Sequence, residues 1–337
     1  MDKYMSINYD TLLENTKLGY DLYLKTYVKG IPRYVLFYRG DESFGNDRRE
    51  ELIKQNIKKL FISTNDVQKY FNYQEKNLQS IIGDKNKSSE EKSQTVYHVA
   101  KYLAMDLAND PRSGTHLRRV TKWVDNTINY IFDDENAFSS LVKVTSHDYY
   151  TYTHCVNLSV LGLLFGKYLF LNPYELKCFG TGLLLHDIGK VEIPLTIINK
   201  PGKLTKEEFE IVKGHPVAGQ NLLEDKNIEE GALRIVIEHH ENFDGTGYPN
   251  RIGGMDIHLF GRIARIIDVY DAVTTRRSYA GAKRPFAALM EMKEHMITCF
   301  DLELLKEFIS FLGPHDPRRK RRKEESIYDV GIDKVIS

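Results

Sequence analysis

Apolar and polar positions alternate through two tyrosine-rich runs near the start of the chain, GYDLYLKTYVKGIPRYVLFYRG, which flank a Gly-Pro break. This pattern predicts a β-hairpin. KKLFIST reads as a further short strand, and NDVQKYFNYQEKNLQSII has a cap residue followed by helical periodicity. Residues 1–84 are therefore expected to form a small α+β domain. GDKNKSSEEKSQ is polar and poor in apolar groups, as in a linker or an exposed helix start. Beyond it the three- and four-residue spacing of helices takes over, in TVYHVAKYLAMDLA, HLRRVTKWVDNTINYIF and the long run FSSLVKVTSHDYYTYTHCVNLSVLGLLFGKYLF. The expected divisions are a linker and helical connector at 85–136, an all-α domain at 137–315 and a charged tail at 316–337.

Two helix starts are legible in detail. Asn172 as cap, Pro173 at the first helical position and Glu175 in the first turn open the helix that runs into GLLLHDIGKVEIP. Thr205 with Glu208 three residues on is a capping box, so Pro201 and Gly202 turn the chain into a helix carrying His215. Gly189 is expected to end the first of these helices, leaving Lys190 beside it.

Composition changes this picture little. With 337 residues, 42% hydrophobic and 28% charged, the chain is ordinary globular material, and 47 basic side chains balance 47 acidic ones. That balance gives no reason to expect a nucleic acid polymer as partner. Cys155, Cys178 and Cys299 are odd in number and widely spaced, which excludes a disulfide framework and a CxxC metal knuckle and fits a reducing cytoplasm. The N-terminus lacks the apolar stretch of a signal peptide, and the longest apolar run is interrupted by Lys167, so no membrane span is expected. The basic cluster PRRKRRK near the end reads as a solvated tail.

The chemistry lies in charged groups set against apolar helix ends. His186 and Asp187 close an apolar helix, where burial of a charge is costly unless something pairs with it. His154, His215, the pair His239–His240, and Asp268 each adjoin a comparable apolar run. Such groups need partners, and one shared cation could satisfy several of them. Imidazole and carboxylate donors together suit iron, manganese or zinc, and the lack of thiolates around them argues against a structural zinc site. An aspartate can bridge two cations, and Asp187 is the obvious bridge.

LLHDIGKVEIP, NKPGKLTKEEFEIVKGHPVAG, IEHHENFDGTGYP and RIARIIDVYDAVTTRRSY, in this order, resemble the signature blocks of the HD-GYP family of cyclic di-GMP phosphodiesterases, within the HD metallohydrolase superfamily. The resemblance spans about residues 137–312. It implies an all-α HD-type helical catalytic domain behind the small α+β N-terminal domain, whose expected role is regulatory. It further implies two divalent metal ions, iron or manganese, one held at His154, His186, Asp187 and Asp268 and the other at Asp187, His215, His239 and His240. A hydroxide bridging the metals would attack phosphorus, opening cyclic di-GMP to linear pGpG and on toward GMP. Lys190 would stabilise the developing charge or protonate the leaving oxygen, and Tyr248 and Arg277 would contact substrate. Tyr150 stands where some members carry a glutamate for a third metal, so two metals are expected. Ala280 replaces a second basic residue, whose share of the substrate could pass to Lys283 or Arg284. A non-catalytic dinucleotide receptor, or a hydrolase of cyclic GMP-AMP, are the alternatives. The amphipathic helices between about 94 and 134 could pair two copies of the chain into a homodimer.

Overall fold

The structure is a computed structural model that describes residues 3–145, 151–275 and 285–313. The chain divides into two compact units. The first holds the described residues of Met1–Leu103 together with Lys122–Thr145, and the second those of Ala104–Thr121 and Ser146–Ser337.

The first unit is built on an antiparallel sheet of β1 (Tyr4–Asn8), β2 (Leu22–Val28), β3 (Ile31–Tyr38) and β4 (Lys59–Ser63), in the spatial order β1-β4-β2-β3. The expected hairpin is β2–β3, with Val28 opposite Ile31. Its two-residue turn is Lys29–Gly30, both at positive φ, the backbone hand that matches the twist of the strands it joins. Strand β1 and helix α1 (Asn46–Lys54) were not foreseen. Helix α2 (Val67–Lys76) is separated from α3 (Leu78–Gly83) at Asn77, so the expected single helix is two. Leu22, Phe44, Leu52, Leu60 and Ile62 are fully buried between sheet and helices, with Tyr20, Tyr70 and Tyr73 set edge-on around them. Helices α4 (Ser89–Asn109) and α5 (Gly114–Asp133) follow, and the part of each in this unit is pinned by polar bonds in the interior. The Trp123 indole donates to the Val96 carbonyl at 2.9 Å, and Tyr130 and Ser93 share a hydrogen bond at 2.9 Å. Short helix α6 (Ala137–Val144) stops at Thr145, whose ψ of 127° is not helical, so the long helical run read from sequence is interrupted there.

The second unit is helical: α7 (Thr151–Tyr168), α8 (Pro173–Leu185), α9 (Leu195–Ile198), α10 (Lys206–Val212), α11 (His215–Leu223), α12 (Glu230–Glu238), α13 (Leu259–Thr274), α14 (Pro285–His295) and α15 (Leu302–Leu312). Helix α8 is buried around its whole circumference from Leu176 to Leu185 save Lys177, as befits a central helix. Neighbours reach it because their contact points are small. A Cβ on Gly182 would come within 2.9 Å of the Ala232 backbone, so glycine lets α8 and α12 approach closely. Phe165 on α7 packs edge-on against Phe308 on α15 with ring centres 5.1 Å apart. Both expected capping boxes are present, at Asn172–Glu175 and Thr205–Glu208. No helix among the described residues is long and apolar enough to cross a membrane. The architecture is thus the expected one: an all-α domain preceded by a small α+β domain with a four-stranded sheet.

Candidate metal centre

Helix α8 gives up its regular turn at His186, its C-terminal cap, and the chain bends through Asp187 into a 3₁₀ turn over Ile188–Glu192. Gly189 lies inside that turn and does not end the helix. Its role is proximity, because a Cβ there would sit 2.0 Å from the His215 carbonyl oxygen and 2.4 Å from the Gly219 nitrogen. The turn therefore rests directly on the start of α11. His215 is the first residue of that helix, one turn-like break beyond α10. His239 caps α12 at its C-terminal end and His240 follows it, while His154 projects from α7 and Asp268 from α13.

These seven residues, which sequence reading singled out, converge. His215 and His239 face each other with Nε2 atoms 3.1 Å apart, and Asp187 Oδ1 lies 3.3 Å from the first and 3.8 Å from the second. His154 Nε2 lies 3.1 Å from Asp268 Oδ1, and His186 Nε2 lies 3.4 Å from Asp187 Oδ2. The donor atoms fall into two neighbourhoods that could each hold a metal ion, Asp187, His215, His239 and His240 in one and His154, His186 and Asp268 in the other, and a third grouping of Cys155, His186 and Asp187 links them. His154, His186, Asp187, His215 and His239 are at most 3% exposed.

The outward nitrogens decide what the inward ones can do. Nδ1 of His186 lies 2.7 Å from the Leu183 carbonyl oxygen, Nδ1 of His215 lies 2.7 Å from that of Val212, and Nδ1 of His239 lies 3.0 Å from those of Ile235 and Val236. A carbonyl can only accept, so each Nδ1 must donate, and in a neutral ring Nε2 is then left with a lone pair pointing into the cluster. Asp187 Oδ1 is buried with no hydrogen-bond partner, an arrangement that costs free energy until a cation takes the oxygen. Lone pairs turned toward one another around an orphaned carboxylate oxygen fit a divalent metal site, as a set of mutually satisfied hydrogen bonds would not.

Without an ion the electrostatics separate the rings: His239 and His240 are kept neutral, whereas His186 holds a second proton that a metal would have to displace. Burial, aided by the neighbouring imidazoles, holds His239 well below the usual imidazole range, and burial does the same to His240 despite Asp268. At His186 burial works downward, yet Asp187 and Cys155 outweigh it and raise the ring to about 10. Burial would lift Asp187, but His186 and Lys190 prevail and keep it well below the carboxylate range. Asp268 is likewise held low by His154 and His240 against burial.

Lys190 stands where it was expected, with Nζ donating to Asp187 Oδ2 at 2.5 Å. Tyr248 stacks on His240 with ring centres 4.7 Å apart. The loop that carries it is folded back by Glu241, whose Oε1 accepts from the Asn250 amide at 2.6 Å and the Arg251 amide at 3.1 Å. Gly245 takes a positive φ there, whereas Gly247 is needed for space, since a Cβ would come within 2.5 Å of His240 O and Glu241 Cα. Arg277, Tyr150, Ala280, Lys283 and Arg284 lie outside the described residues.

Sequence reading passed over several members of this neighbourhood. Asp271 takes His154 Nδ1 at 2.7 Å through Oδ2 and the Asn157 amide at 3.2 Å through Oδ1. Its place three residues after Asp268, on one face of α13, was the available signal. Cys155 brings its sulfur near His186 and Asp187, which corrects the expectation that no thiol lies around these donors: 31 positions away in sequence, it is brought there by the packing of α7 on α8. Arg265, one turn before Asp268, donates through Nε to Asn242 Oδ1 at 2.9 Å.

Residues 170–304 match the family described as HD domain. Over 220 residues the chain is 34% identical to a cyclic di-GMP phosphodiesterase of Pseudomonas aeruginosa, an alignment covering 64% of this chain and 52% of that one. It is 39% identical over 145 residues to a cyclic di-GMP phosphodiesterase response regulator of Xanthomonas campestris pv. campestris, covering 42% of this chain and 38% of that one. It is 46% identical over 97 residues to a 3'3'-cGAMP-specific phosphodiesterase of Vibrio cholerae, covering 28% of this chain and 19% of that one. The chain thus spans about half or less of the length of these relatives. Among solved structures, an HDG"Y"P protein from Bdellovibrio bacteriovorus shares the fold, with a TM-score of 0.64 and 20% identity over 92% of this chain and 99% of that one. Residues 170–304, with the His186–Asp187 pair and the DGTGYP loop among them, thus match an HD domain and resemble the corresponding part of cyclic dinucleotide phosphodiesterases.

Proposed function

We propose that this protein is a metal-dependent phosphodiesterase that opens cyclic di-GMP to linear pGpG and further toward GMP. The observation that carries the reading is the buried, unpartnered Asp187 Oδ1, ringed by imidazole nitrogens whose opposite ring atoms are tied to carbonyls. His154, His186, Asp187 and Asp268 would hold one divalent ion and Asp187, His215, His239 and His240 a second, with iron or manganese favoured by the mixed imidazole and carboxylate donors. A bound metal pair supplies Lewis acidity toward the phosphoryl oxygens and brings the pKa of a bound water to near neutrality. The residues do the rest. Lys190, now paired with Asp187, offers its ammonium to the charge that builds on the phosphoryl group or to the departing oxygen. Tyr248, packed on His240, presents an aromatic face at the edge of the cluster on which a purine can stack. The buried walls exclude water and strengthen every one of these charges.

The relatives named for cyclic di-GMP favour that substrate, and those named for 3'3'-cGAMP make cyclic GMP-AMP the second reading. A cytoplasmic site of action follows from an intracellular substrate. A small regulatory domain at 1–84, the connector at 85–136 and pairing of two copies through it complete the proposal. The test is direct: protein loaded with iron or manganese should convert cyclic di-GMP to pGpG, and Asp187→Ala should lose metal and turnover together. Turnover by an Asp187→Ala protein stripped of metal would overturn the reading.

A further inference from the structure

The two carboxylates of the centre each have a cation of their own. Lys190 Nζ sits on Asp187 Oδ2, and Arg265 Nη1 lies 4.0 Å from Asp268 Oδ2, three residues before it on α13. The Arg265 side chain is 15% exposed, and its guanidinium lies against Asp268 and Asn242. Its hydrogen bond among the described residues is the one from Nε to Asn242 Oδ1, in the segment leading to Tyr248, which leaves the outer nitrogens with donors to spare. Once a divalent ion takes the carboxylate oxygens of Asp187 and Asp268, both side-chain cations lose most of their attraction to them.

We propose that Arg265 is a substrate-binding residue that grips a phosphodiester oxygen of the dinucleotide, opposite Lys190 across the metal centre. Resting on the function proposed above, this supplies a basic group from within the helix that also carries Asp268. A guanidinium suits the task because its planar fork can give two parallel hydrogen bonds to phosphate, as an ammonium cannot.

Arg265 could instead act only as a tether for the loop, and Asn242→Ala separates the two roles because it removes the tether and keeps the charge. Three probes are used on manganese-loaded protein: cyclic di-GMP, bis(p-nitrophenyl) phosphate and orthophosphate, the last read by ³¹P relaxation from the bound manganese. Arg265→Ala should raise KM for both diesters about 10- to 100-fold, the range for losing a charge-assisted contact, and weaken orthophosphate similarly. Metal content should not change. Arg265→Lys should recover part of the loss, and Asn242→Ala should stay within about threefold of the unaltered protein. Unchanged KM and orthophosphate affinity in Arg265→Ala would overturn the proposal, as would a loss confined to cyclic di-GMP or an Asn242→Ala loss as large as that of Arg265→Ala. If the unaltered protein does not hydrolyse cyclic di-GMP, the dinucleotide reading fails, while the other two probes still decide the role of Arg265.

Discussion

Replacing Asp271 by asparagine keeps the shape of a side chain that touches no proposed metal position and removes its charge. In the structure Oδ2 takes His154 Nδ1 at 2.7 Å and Oδ1 takes the Asn157 amide at 3.2 Å, all within the interior. An asparagine has a single acceptor oxygen. If that oxygen faces His154, its NH₂ faces the Asn157 NH₂, and if it faces Asn157, its NH₂ opposes the protonated Nδ1. One bond is lost in either orientation, and His154 loses the anionic partner that fixes its tautomer and raises its basicity. Such partners are worth about 10- to 100-fold in metal affinity, or about 1.4 to 2.8 kcal/mol at tenfold per 1.4 kcal/mol. The assay is competition for manganese against a chromophoric chelator, with the thermal midpoint of the metal-free variant measured in parallel to show that it is folded. Asp271→Asn with metal affinity within twofold of the unaltered protein would refute the reasoning, because His154 would then not depend on Asp271 for its orientation.

Other consequences follow from the same geometry. Because His186 is raised to about 10 in the metal-free site, it carries a proton at neutral pH that a metal must displace, so calorimetric titrations in buffers of different ionisation enthalpy should report proton release. The charged ring stabilises the metal-free fold fully below its unfolded value of about 6.5, and that contribution is lost as pH rises through about 10, while metal affinity grows over the same window. A metal-free midpoint that rises from pH 7 to 9 would contradict this. Gly189→Ala forces a Cβ onto the His215 carbonyl and the Gly219 nitrogen, which are backbone and cannot swing aside. It should cost about 3 kcal/mol by denaturant unfolding, the upper part of the overpacking range, and weaken metal binding by displacing His215. Glu241→Gln weakens the clasp on Asn250 and Arg251, so KM should rise while metal content, measured by elemental analysis, is kept.

Much of the centre was legible because its residues break a local rule. His186 and Asp187 end an apolar helix, and His239 and His240 end another, so unpaired burial at those points demanded a common partner. The capping signals at Asn172 and Thr205 were equally plain, since they depend on residues three apart. What sequence could not give was long-range. Asp271 is an ordinary helical aspartate until α7 is laid against α13 and His154 meets it, 117 positions away. Gly189 looks like a helix stop until α11 is seen resting on it. Strand β1 pairs with β4 across more than fifty residues, and nothing in its short sequence announces that partner.

The central claim is that five imidazoles and two carboxylates enclose a pair of divalent ions with Asp187 between them. Anomalous diffraction from crystals of manganese-loaded protein tests it most directly. Two peaks about 3.5–4 Å apart, both within bonding distance of Asp187 and divided between the His154, His186, Asp268 set and the His215, His239, His240 set, are the predicted result. A centre without metal after loading, or peaks elsewhere in the molecule with these seven side chains unengaged, would contradict it.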